Sequence, residues 1–203
     1  MVDELIKKFE NYKFYINGWE NMKRASVAIL LYEENEEIYI VFEVRSKTLR
    51  SQPGDISFPG GKIDENEDEK TAIIREICEE LGLNKGEFEI KHKLSLLITH
   101  YGLLVHPFIG YIKNINSLNI NKDEVDKILL VPLKHLINNN PLEVKSKLVV
   151  DRNNEFPYDL INSGKNYKFK QGNYRSLFYE YEGNIIWGMT ALILEDFLNF
   201  IKY

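Results

Sequence analysis

The chain has 203 residues, 44% of them hydrophobic, and a formal net charge of −5. That supplies apolar material for one sizeable core in a single soluble domain over residues 1–203, and the acidic balance speaks against indiscriminate nucleic-acid binding. Cys78 is the only cysteine, which excludes an intrachain disulfide and suits a reducing compartment.

The N-terminal stretch lacks a signal-peptide core, no segment approaches the roughly 18 apolar residues of a membrane span, and the terminal FIKY is no targeting address. Cytoplasm is the expected location, with no membrane contact. Val2, Leu5, Ile6 and Phe9 predict a short amphipathic helix covering one edge of the domain. Residues 25–32 (ASVAILLY) and 38–44 (IYIVFEV) predict a hairpin, rich in β-branched and aromatic residues and joined by a polar turn.

The loop over residues 45–61, RSKTLRSQPGDISFPGG, carries Arg45, Arg50, a Pro53-Gly54 turn and the pair Gly60-Gly61. Arginine is well shaped to hold phosphate oxygens. Two surface arginines at a strand end fit equally well.

Next comes an acidic helix. Ile73, Ile77 and Leu81 fall four apart, with Arg75, Glu76, Glu79 and Glu80 between them, so one side is apolar and the other charged. At about 100° per residue the three glutamates project the same way and repel one another. A hard divalent cation, Mg²⁺ or Mn²⁺, would offset that repulsion, because the cluster offers oxygen and neither histidine nor thiolate. Taken alone, the helix reads first as a solvated acidic face, since exposed Glu runs are common on helices. Gly82 is placed to close the helix in a left-handed conformation, with Leu83 packing back, and Cys78 on the apolar side is expected to be an inert thiol.

From Gly61 the spacing is five residues to Glu67, seven to Arg75, then Glu76, Ile77, Glu79, Glu80, Gly82 and Leu83 in a fixed frame. This resembles the Nudix box, G-x5-E-x7-R-E-U-x-E-E-x-G-U, at every specified position. Upstream, Arg45, Ser46, Arg50, Gly54, Phe58, Pro59, Gly60 and Gly61 are similar to the added signature of the coenzyme A diphosphatase branch, L-L-T-x-R-[SA]-x3-R-x3-G-x3-F-P-G-G. The departure is at Val41, Phe42 and Glu43, where Glu43 stands for the threonine.

The resemblance implies a Nudix-type α/β/α sandwich, an α/β (α+β) fold with a mixed sheet and a loop-helix-loop box. It implies metal-dependent hydrolysis of coenzyme A or acyl-coenzyme A to 3′,5′-ADP and 4′-phosphopantetheine. Mg²⁺ or Mn²⁺ would be held by Glu76, Glu79, Glu80 and the Gly60 carbonyl. Arg75 would pin the helix to the preceding loop through Glu67, Glu76 or Glu124 would take the proton from water, and Arg45, Arg50, Gly54 and Phe58 would contact substrate. Two alternatives stay open. One is another Nudix hydrolase acting on ADP-ribose, NADH or an oxidised nucleoside triphosphate, and the other is a Nudix-fold nucleotide sensor. Whether the chain is a monomer or a homodimer is also open.

Further along, residues 87–98 and 103–112 predict two longer strands, with His100 and His106 as satisfied structural histidines. Residues 123–136 predict an acidic turn holding Glu124, a strand and a helix starting near Pro132. A strand is expected at residues 144–150, within a long connection that either caps the site or extends the sheet. A hairpin around Gly183 follows, and the apolar stripe Ile193, Leu194, Phe197, Leu198 and Ile201 reads as core.

Overall fold

In the computed structural model, which describes residues 1–13 and 15–202, eight strands form one mixed sheet. They are β1 (Lys23–Glu34), β2 (Glu37–Arg45), β3 (Ile56–Ser57), β4 (Gly60–Lys62), β5 (Phe88–Lys93), β6 (Leu97–Ile98), β7 (Leu103–Ile112) and β8 (Val125–Pro132). The path runs β3-β2-β1-β7-β5, with β4 on β1, β6 on β7 and β8 on β2. The pairing of β1 with β7 is parallel, and the other strand pairings described for this sheet are antiparallel.

Residues of β1 alternate between two apolar cores, as the two-residue repeat of a strand buried on both faces requires. Ala28, Leu30 and Tyr32 face one core with Val41, while Ile29 joins Ile40 and Phe42 in the other. The tight turn between β1 and β2 places Asn35 and Glu36 at φ 50° and 64°, which matches the twist of a two-residue hairpin loop.

The first core is covered by helix α2 (Glu69–Leu81), which follows the short α1 (Val2–Lys7) in the chain. Ala72, Ile73, Ile77 and Leu81 bury the expected stripe of α2 on the sheet. Its start is fixed by Asp68, whose Oδ1 accepts the Thr71 amide at 2.8 Å, and its end by Gly82 at φ 65°. A Cβ at Gly82 would lie 2.1 Å from the Asn119 carbonyl oxygen, so the left-handed cap also permits a close backbone approach.

The second core lies beneath α4 (Gly188–Ile201), which follows α3 (Leu133–Asn138) in the chain, and beneath a three-stranded sheet ordered β11-β10-β9. Those strands are β9 (Leu142–Leu148), β10 (Gly172–Tyr181) and β11 (Asn184–Trp187). Leu177, Tyr179, Ile186, Leu194, Phe197 and Leu198 pack with Ile29 and Phe42 in one cluster. Helix, mixed sheet, then helix with the small sheet is the expected sandwich.

Four expectations are corrected. The N-terminal stripe does not cover an edge of the domain among the described residues, since Val2, Leu5 and Ile6 of α1 and Phe9 beyond it are all more than half exposed. The strand expected over residues 87–98 breaks into β5 and β6. Leu94 donates to the Pro107 carbonyl at 2.9 Å, and a proline has no N–H to return, so the ladder is interrupted there. β9 begins two residues early and joins the second sheet rather than extending the first. His106 is buried with its Nδ1 3.8 Å from a Glu69 oxygen, but its Nε2 has no hydrogen-bond partner among the described residues, so the ring is only partly satisfied.

Candidate functional site

The site forms where β1 and β2 part. Their pairing ends at Leu30 with Val41, and β1 continues against β4 from Val27 with Gly60 to Ala25 with Lys62. The wedge brings the glycine pair beside the acidic face of α2. Gly60 has φ 144°, and a Cβ there would fall 2.2 Å from the Ser26 carbonyl oxygen. One at Gly61 would fall 2.5 Å from the Glu76 carboxylate. No larger residue fits either position without displacing the strand or the acid.

Arg75 ties this wedge together. Its Nε and Nη2 donate to the two carboxylate oxygens of Glu67, each at 3.0 Å, and Nη2 also donates to the Lys62 carbonyl at 3.0 Å. Its Nη1 donates to Glu76 at 2.8 Å and to Glu79 at 3.0 Å. The anticipated pairing with Glu67 is therefore present, as a planar fork on a planar carboxylate. That bond holds Glu67 below the usual carboxylate range, and the same bonds raise the proton affinity of Arg75.

The glutamates differ sharply in environment. Glu79 sits at the rim with its side chain 53% exposed, and Glu76 is half-buried, with burial pushing its carboxyl upward against the pull of Arg75. Glu80 is only 4% exposed, and its Oε2 accepts the Gly60 amide at 2.8 Å. Burial, followed by the charge of Glu43, pushes Glu80 up to about 10. Glu43 is 1% exposed, accepts from the Ser57 hydroxyl at 2.9 Å through Oε1, and is pushed up to about 8 by burial. Glu124 is exposed, its carbonyl accepts the Ser46 amide at 2.8 Å, and its charge raises Glu43, Glu76 and Glu80.

Glu43, Glu76, Glu80 and Glu124 thus share one wedge with mutual repulsion, and Glu79 at the rim adds to it. Among the described residues no three of them form a ready ligand set, since Arg75 holds Glu76 and Glu79 while Gly60 holds Glu80. The chemistry nonetheless fits a hard divalent cation. The donors are all oxygen, two acids are buried with like charges beside them, and the missing Cβ of Gly61 lets the Glu76 carboxylate lie close against the loop backbone.

These raised values predict a pH effect in the metal-free protein. A carboxyl that binds its proton more tightly folded than unfolded contributes stability below its unfolded value near 4.5, and that stability is lost as pH rises toward the folded values. Carboxylates that are lowered in the fold, such as Glu67, have given their full contribution by then. His106, lowered by burial, acts in the opposite direction only up to about its unfolded value of 6.5. Between pH 6.5 and 8 the melting temperature in EDTA should fall, and in Glu80→Gln it should fall less. A wild-type curve that is flat or rising there would contradict the burial of these acids.

Beside the wedge lies a cleft of about 410 Å³ lined by Arg45, Phe58, Gly60 and Gly61 and by the rings of Tyr101, Tyr174 and Trp187. Arg45 presents a buried Nε with no partner, and Phe58 stacks on Phe42 at 4.9 Å. Gly54 lines a neighbouring hollow that shares Trp187, and Arg50 is exposed and outside the lining of both. His100 is exposed, edge-on to Tyr101 and Tyr174.

Sequence reasoning missed two groups. Glu43 read as a departure inside an apolar strand. Tyr174 and Trp187 come from β10 and β11, far from the motifs, and only the packing of the second sheet brings them to the cleft.

The NUDIX domain profile matches residues 22–152. A peroxisomal coenzyme A diphosphatase of Mus musculus is 33% identical over 115 residues, 56% of this chain and 49% of that protein. One of Caenorhabditis elegans is 30% identical over 117 residues, 56% of this chain and 50% of that protein. Nudix hydrolase 3 of Caenorhabditis elegans is 28% identical over 181 residues, 87% of this chain and 72% of that protein. The chain spans about half the length of the two diphosphatases it matches.

Proposed function

The chain belongs to the NUDIX domain family, and from that premise we propose that it hydrolyses the diphosphate of coenzyme A or its acyl forms to 3′,5′-ADP and 4′-phosphopantetheine. The observation that carries the substrate choice is Arg45, a guanidinium with an unpartnered buried nitrogen in the cleft beside the carboxylate wedge. The similarity to two coenzyme A diphosphatases supports the same choice.

In this reading Glu76, Glu79, Glu80 and the Gly60 carbonyl would hold Mg²⁺ or Mn²⁺, which would supply charge neutralisation and a lowered pKa for water. Arg45 binds phosphate oxygens. Phe58, Tyr174 and Trp187 line the cleft and give it an aromatic wall suited to an adenine ring. Glu76, held by Arg75 but half-buried, takes the proton of the attacking water, with Glu124 as the other candidate base. The catalytic unit is one domain over residues 1–203, acting in the cytoplasm on a small molecule. No helix among the described residues is long and apolar enough to cross a membrane.

The exposed position of Arg50 favours a second reading, hydrolysis of another nucleoside diphosphate derivative such as ADP-ribose. The 3′-phosphate of coenzyme A separates the two. Arg45→Ala should lower the ratio of coenzyme A to ADP-ribose turnover, measured as kcat/KM, by about tenfold, or ~1.4 kcal/mol. Arg50→Ala tests the second arginine in the same way. If neither changes the ratio, the arginine loop does not select coenzyme A and the second reading takes its place.

A further inference from the structure

Glu43 has no role in the reaction just described, and nothing in the Nudix box assigns it one. It lies on β2 among Val41, Phe42 and Val44, where an apolar residue would be expected, and it is almost wholly buried. Its Oε1 is occupied by the Ser57 hydroxyl at 2.9 Å, which fixes the carboxylate plane. Its Oε2 is buried and has no hydrogen-bond partner.

Among the described residues that oxygen finds no hydrogen-bond partner. Arg45 is the positive group acting on Glu43, yet it forms no ion pair with it, and its own buried Nε is also unpartnered. The other groups acting on Glu43 are acids, Glu76 and Glu124, and Glu43 is in turn the foremost neighbouring charge on Glu80. A buried, unpartnered carboxylate oxygen with further carboxylates as its neighbours is unfavourable unless a cation or a proton offsets their charge. Parity explains why the strand delivers it there. Val41 packs under α2 while Phe42 and Val44 face the opposite core, so Glu43 falls on the α2 side together with the acidic face of the helix.

We infer that Glu43 is a ligand of a divalent cation in the wedge, presenting Oε2 beside Glu80 while Ser57 orients it from behind. This deepens the proposed function and rests on its cation site. Such a bond between strand and helix would lock the wedge and add a negative charge to the ligand set, which suits a hard cation.

The test is Mn²⁺ binding by the full chain, followed by electron paramagnetic resonance of free Mn²⁺ and by melting temperature with and without Mn²⁺. Wild type, Glu43→Gln, Ser57→Ala and the double variant Glu79→Gln/Glu80→Gln are compared. Glu43→Gln should weaken Mn²⁺ binding at least tenfold and reduce the thermal shift caused by Mn²⁺. Ser57→Ala, which keeps the acid and removes its orienting bond, should weaken binding several-fold. Should Glu43→Gln fail to fold, Ser57→Ala alone decides: weakened binding supports the inference and unchanged binding overturns it. If the double variant loses Mn²⁺ while Glu43→Gln binds as wild type does, Glu43 is not a ligand. If the double variant also binds as wild type does, the cation site itself is misplaced, and the inference falls with it.

Discussion

In Glu80→Gln, turnover falls by about three orders of magnitude, or ~4 kcal/mol of transition-state stabilisation, while the metal-free protein melts higher than wild type. The two effects have one cause. Glu80 is buried against Glu43, Glu76 and Glu124, so its charge is useful only when a cation joins the cluster. Glutamine keeps an oxygen for the Gly60 amide and has no proton to take up on folding, so the metal-free fold no longer carries the cost of keeping that carboxyl protonated among buried acids. The check is kcat at saturating Mg²⁺ together with calorimetry in EDTA. A variant that loses activity and also melts lower would show that Glu80 acts through packing rather than through charge.

Arg75→Ala should lower the melting temperature by about 5–10 °C, equivalent to roughly 2–3 kcal/mol for a chain of this size. One guanidinium serves Glu67, Glu76, Glu79 and the Lys62 carbonyl, so its removal leaves three carboxylates without their shared partner and frees the loop from the helix. The estimate sits below the range for fully buried pairs because the Arg75 side chain is 29% exposed. Activity should fall about a hundredfold as Glu76 loses its position. Arg75→Lys should recover little, since an ammonium cannot reproduce the two-pronged contact with Glu67. Thermal melts and kcat/KM on the three proteins decide this, and a lysine variant equal to wild type would reduce Arg75 to a point charge.

Much of this site was legible because it is local in sequence. The four-residue spacing of Ile73, Ile77 and Leu81 and the stop at Gly82 specify the body and end of α2, and with them the direction of Glu76, Glu79 and Glu80, whereas the cap at Asp68 emerged only from the structure. Arg75 and Glu67 meet because the loop is short. Glu43 was not legible in the same way. Its partner, Ser57, is fourteen residues away on a two-residue strand, and its neighbours belong to α2 and to the turn before β8. Only the sheet order brings them together.

The aromatic wall has the same origin. Trp187 and Tyr174 reach the cleft because the second sheet packs on the main core, an arrangement that no local period encodes. The α1 stripe shows the reverse failure. Its spacing specified a helix correctly, but spacing does not specify a partner, and Leu5 and Ile6 remain exposed. At Pro107 a single missing N–H decided where a strand would break, and that became visible only once Leu94 was known to lie opposite.

The most direct test of the central claim is the identity of the products formed from coenzyme A by the purified chain, separated chromatographically with Mg²⁺ or Mn²⁺ and with EDTA. The account predicts 3′,5′-ADP and 4′-phosphopantetheine in equal amounts, formed faster than any product from ADP-ribose, NADH or 8-oxo-dGTP, and absent in EDTA. Intact coenzyme A alongside rapid turnover of another of these substrates would contradict it.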